Sequence, residues 1–129
     1  MEIIELIGQL DGWAFGFALA FIFLDVATGY AQAVANHCVS SEKMRAGFWH
    51  KLALVFAMLA AGLADMAAAV ESDLGFSMPV FECACGYICL MELTSILENV
   101  KRMNPELEDT PLLKLFGKEE DNDGVQHRS

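Results

Sequence analysis

Positive charge is scarce in this chain, and nothing before Lys43 carries it. Its 8 Lys and Arg stand against 18 Asp and Glu, for a net charge of −10. Phosphate backbones are held by basic surfaces, so a nucleic-acid partner is excluded. The opening "MEIIELIGQLDGW" also lacks the basic n-region of a secretory signal, which predicts that the apolar run after it is retained.

Catalytic and ligand-holding patterns are missing too. There is no Gly-rich phosphate loop and no metal-ligand pair at helical spacing. His37, His50 and His127 are scattered, and no Ser has a nucleophile context. Neither an enzyme, nor a cofactor, nor a metal is expected. Cys83, Cys85 and Cys89 lie in "CACGYIC", whose C-x-C-x3-C spacing has no nearby His to complete a zinc site. Small apolar residues packing along a helix are the simpler reading.

Apolar sequence, by contrast, is abundant: 55% of residues are hydrophobic and the mean hydropathy is +0.39, even with charges crowded into the last thirty positions. Three candidate spans emerge. The first covers about 13–35, with Asp25 its one charge; the second about 49–70, with His50 and Lys51 at one end and Asp65 inside. A third, about 78–97, carries Glu82 and Glu92 and is weaker, so an interfacial helix is its alternative. A crossing helix needs ~20 apolar residues, which the first two supply.

Basic residues fall on alternate sides of these three crossings. None precedes the first span; Lys43, Arg45 and Lys51 follow it; "ESDLGFS" has none; the other five come after the third span. Under the positive-inside rule this predicts an all-α integral membrane protein with its N-terminus outside and C-terminus inside. Residues 1–100 form the three-span domain and 101–129 a cytoplasmic charged tail. In that tail Leu112, Leu113, Leu115 and Phe116 predict a short amphipathic helix on the inner membrane surface or, equally, packing against the span ends, followed by a disordered end.

At 3.6 residues per turn, Asp25 shares a face with Ala14, Ala18, Gly29, Gln32 and Asn36, with Thr28 at its edge. Phe15, Ile22, Phe23, Val26 and Tyr30 take the opposite side. The second span repeats Ala53, Ala57, Ala61, Asp65 and Ala69, and the third groups Glu82, Cys85, Gly86, Cys89, Glu92 and Ile96. Acids embedded among small residues should face partner helices or water, not acyl chains. Four such acids with no intramembrane Lys or Arg predict several copies assembling with their polar faces together. For Asp65 alone, simple hydrogen-bonded packing is an equal alternative.

The stretch "LDVATGY" (24–30) resembles the Leu-Asp-x-x-Thr-Gly signature in the first span of a phage holin family, which includes toxin-secretion holins. "SSEKMRAGFWHKL" is similar to that family's connector, and "ELTSILENVKRMNPELEDTPLLKLF" (92–116) to its third-span end. The resemblance covers about 20–116 and carries over to Asp25, Thr28, Gly29, Glu92, Ser95, Glu98 and Asn99. It implies a non-enzymatic protein of the bacterial inner membrane that oligomerises in the lipid bilayer and opens lesions. Through these a cell-wall hydrolase would pass, with no direct contact implied. These residues would stabilise helix contacts and line the lesion, together with Gln32, Asp65 and Glu82 on the polar helix faces. A holin-like export or self-killing pore, a non-permeabilising membrane adaptor, and a soluble helical bundle are the competing readings.

Overall fold

The computed structural model describes residues 12–71, 79–111 and 114–115. These form three long helices, α1 (Gly12–Ala35), α2 (Ser41–Val70) and α3 (Val80–Met103), followed by a short 3-10 helix (Pro105–Asp109). The residues before Gly12, the link from 72 to 78, Leu112, Leu113 and everything beyond Leu115 lie outside the described residues, and with them most of the expected tail helix. All three long helices are long and apolar enough to cross a membrane, the third included. At 24, 30 and 24 residues and ~1.5 Å per residue, each exceeds the ~30 Å hydrocarbon core.

The helices outrun the apolar sequence at one end of the bundle. α2 begins at Ser41, where the Ser40 side chain accepts the Lys43 N–H (3.4 Å) and Glu42 suits the positive helix terminus. Thus the expected start near Trp49 is about two turns late: polar Glu42, Lys43 and Arg45 propagate a helix as well as apolar residues do. α3 likewise continues past Leu97 through "ENVKRM" to Met103. It stops where Pro105 forces Asn104 into extended backbone, and the Asn104 side chain then accepts the Glu106 N–H (3.2 Å) to start the 3-10 turn.

Between α1 and α2 the chain reverses through a left-handed cap. His37 has φ +53°, its N–H donates to the Val34 carbonyl (3.2 Å), and the Cys38 N–H donates to the Ala33 carbonyl (2.9 Å). This bond pair is the Schellman arrangement, whose left-handed position is usually glycine. His37→Gly should therefore raise stability by about 1 kcal/mol, the steric cost of a Cβ in this conformation. Thermal unfolding of the detergent-solubilised protein checks it.

α3 is the central element. It packs along α1 for most of its length and along α2 to a smaller extent, while α1 and α2 scarcely meet. Ala18 and Ile22 of α1, Met58 of α2, and Phe81, Cys85 and Ile88 of α3 form the buried centre, with the Phe15 ring stacked on Phe81 (6.2 Å). Phe15 and Ile22 therefore turn inward, contrary to their expected place opposite Asp25: they sit one turn from Ala18 and share its contact with α3. On α2 the inward stripe is Val55, Met58, Gly62 and Asp65 rather than the alanine repeat; Ala53, Ala57 and Ala69 are exposed. Gly86 of α3 is exposed as well.

The outer surface is strongly apolar. Phe17, Phe23, Phe56, Leu59, Leu63, Tyr87 and Leu90 are all exposed. A soluble monomer does not present contiguous apolar surface on this scale, whereas a lipid-solvated bundle must. The soluble-bundle reading falls on this ground.

Candidate functional site

Deep in the bundle, residues far apart in sequence meet around one ammonium group. Lys51 of α2 pairs with the Asp25 carboxylate of α1 (2.7 Å) and with the Glu92 carboxylate of α3. Asp25 is 7% exposed and Glu92 only 1%. Asn99, two turns beyond Glu92 on α3, donates to the Asp25 carboxylate (3.1 Å) and to the Thr28 hydroxyl (3.2 Å). Thr28 in turn donates to the Asp25 backbone carbonyl (3.1 Å). Gly29 completes the contact: a Cβ there would stand 3.5 Å from the Asn99 amide nitrogen.

Helical spacing explains the convergence. Asp25, Thr28 and Gly29 form one patch of α1; Glu92, Ser95 and Asn99 lie at three- and four-residue spacing on α3. The α2 stripe Lys51, Val55, Met58, Gly62 and Asp65 brings the lysine to the same level. Lys51 is ten residues inside α2 and Asp25 ten inside α1, so the cluster lies ~15 Å below the basic end of the bundle. Lys51 itself is only two residues past Trp49, where the apolar part of α2 begins, so the cluster stands toward the basic end of the spans; at the centre of the hydrocarbon an uncompensated charge costs at least ~2.5–3.5 kcal/mol. Here two carboxylates share one ammonium, with Asn99 donating to Asp25 as well, and among the described residues no buried side-chain N or O lacks a hydrogen-bond partner.

This corrects one expectation directly. Lys51, at the polar end of the second span, is the common partner of Asp25 and Glu92. Those two acids are therefore satisfied within a single chain and do not by themselves demand further copies. The spacing of Lys51 from Asp65 on one face was the available signal; its place at the polar end of the second span concealed it.

Asp65 has a separate role. Its carboxylate accepts the Val80 N–H (3.1 Å) and the Phe81 N–H (2.7 Å), capping the start of α3 from the far end of α2. Pro79 at the cap position offers no side-chain acceptor, so Asp65 supplies what the local sequence lacks. Charged hydrogen bonds of this kind contribute ~1.5–3 kcal/mol each. Asp65→Ala is expected to destabilise the bundle by about 2 kcal/mol, read from denaturation in detergent, with Asp65→Asn losing less.

The remaining predicted residues divide. Gln32 and Ser95 line a wedge beside the cluster. Glu98 is half-buried on α3. Glu82 is half-buried in the first turn of α3, ten residues from Glu92 and thus ~15 Å from the cluster. Cys83 is exposed, Cys85 buried and Cys89 between, so these thiols do not converge.

Three apolar helices holding a polar cluster away from lipid define a small multi-pass membrane protein. The chain matches the bacteriophage holin family over residues 3–110, and it belongs to that family. No curated protein and no solved structure matches it. The two stretches with the holin-like signatures, 24–30 and the start of 92–116, are the ones that meet at Asp25, Thr28, Glu92 and Asn99.

Proposed function

We propose that this protein is a phage or prophage holin, which accumulates in the bacterial inner membrane and then oligomerises into lesions that release a cell-wall hydrolase. The observation that carries the reading is the closed charge cluster: Lys51, Asp25 and Glu92 satisfy one another inside a bundle whose outside is apolar. A chain so built is inert in lipid while the cluster stays closed. Separating the helices would expose two carboxylates, an ammonium and Asn99, groups that need water or new polar partners. A lesion wall supplies both. Assembly is supported by the family and by Ala53, Ala57, Ala60 and Ala64, which face outward on α2 and permit close helix approach. Among the described residues, Lys43 and Arg45 at the start of α2 and Lys101 and Arg102 at the end of α3 gather at one end of the bundle, which supports a cytoplasmic C-terminus.

Inducible expression in a bacterium, with membrane potential and escape of a co-expressed cytoplasmic muralytic enzyme followed together, tests this. The expected result is abrupt depolarisation with enzyme release. Depolarisation without release would replace it by a small export-type pore, and stable insertion with neither would leave a membrane adaptor.

A further inference from the structure

Because α1 and α2 scarcely touch, a wedge of about 550 Å³ remains open between them at the basic end of the bundle. Its floor is Asp25 and Lys51, whose charges are already engaged with each other. Its sides are Val26, Tyr30, Met44 and Phe48, all half or more exposed, so it opens sideways onto the lipid-facing surface. At its mouth stand Ser40, Lys43 and Arg102. Neither the Lys43 ammonium nor the Arg102 guanidinium has an ion-pair partner among the described residues. The wedge is therefore cationic at the membrane surface and apolar along the wall below.

We propose that this wedge binds an anionic phospholipid, its phosphate held by Lys43 and Arg102 and an acyl chain lying along Val26, Tyr30 and Phe48. The volume suits a small-ligand site, and basic pockets between membrane helices bind anionic headgroups. Lys43 is eight residues from Lys51 along α2, so the phosphate sits ~12 Å above the Asp25 carboxylate and escapes its repulsion. A free phosphate would leave the apolar wall uncovered. A second copy inserted in the same orientation carries the same basic end at the same depth, and would oppose like charges. The proposal is independent of whether the protein permeabilises membranes.

The test uses the full chain in neutral detergent, with thermal unfolding followed as phosphatidylglycerol, phosphatidylcholine or inorganic phosphate is added. Phosphatidylglycerol is expected to bind about thirtyfold more tightly than phosphatidylcholine, the factor for two basic side chains at a membrane surface. Inorganic phosphate should give no shift. The preference should vanish in Lys43→Gln/Arg102→Gln and persist in Arg45→Gln/Lys114→Gln, which removes the same charge from outside the wedge. Gly47→Leu gives a second route: a Cβ at Gly47 meets nothing within 4 Å, so the side chain fills the wedge and should weaken lipid binding without unfolding the bundle. Equal binding of both lipids, a preference that survives Lys43→Gln/Arg102→Gln, or an equal shift with inorganic phosphate would each overturn the proposal.

Discussion

Lys51→Met should be the most damaging single substitution in this protein, with an expected loss of ~3–5 kcal/mol. It keeps the length and apolar stem of the side chain but removes the one ammonium between Asp25 and Glu92. Two carboxylates would then face each other in a site where one is 7% and the other 1% exposed. Breaking a buried pair from one side costs this much because the abandoned charge stays buried. Reduced unfolding temperature in detergent and faster turnover in cells are the readouts. Combining Lys51→Met with Asp25→Asn and Glu92→Gln should recover most of the loss, since no charge then remains to be compensated. A Lys51→Met protein as stable as the parent would mean that the cluster does not hold the bundle together.

Asp25→Leu should act in the opposite direction on stability and still impair function. The substitution leaves Lys51 and Glu92 as a neutral pair and removes a carboxylate from the hydrocarbon depth of α1. Insertion and accumulation should equal or exceed those of the parent, by less than the ~2.5–3.5 kcal/mol that an uncompensated acid costs, since Lys51 and Asn99 already engage Asp25. The same carboxylate is a group that a wetted lesion would hydrate, so its loss should slow permeabilisation on the order of tenfold or more. Quantitative membrane blotting beside the rate of depolarisation after induction separates the two effects. Normal permeabilisation would remove Asp25 from the lesion wall.

How much of this was legible in the sequence depends on the range of the interaction. Three spans, their order and the acids on inward faces followed from apolar run length and helical period, which are local. The patch Asp25, Thr28 and Gly29 followed from spacing, whereas Ser95 and Asn99 came only from the family resemblance, outside the third-span face that ends at Ile96. Lys51 was not placed because its partners lie 41 residues away on α3 and as far off in the other direction as α1; only three-dimensional packing sets which polar end slides against which acid. The inward turn of Phe15 and Ile22 was missed for a related reason. Helical spacing puts these bulky residues opposite Asp25, yet a central α3 that offers Phe81, Cys85 and Ile88 accepts bulky partners. Asp65 sat on the expected face, but its use as a cap depended on Pro79 at the start of α3, where no side-chain acceptor exists.

If this chain opens lesions as proposed, the polar interior that is closed in the resting chain becomes wet when they form. Cys85 reports on it directly, being 1% exposed and two turns from Glu92 on the same face of α3. With Cys38→Ser, Cys83→Ser and Cys89→Ala in place, labelling by a membrane-impermeant maleimide would be measured in intact cells before and during permeabilisation. The expected result is protection of Cys85 at rest and rapid modification as the membrane depolarises. A thiol that stays protected while the lesion conducts would contradict it, showing that the lesion is built from bundles that never open.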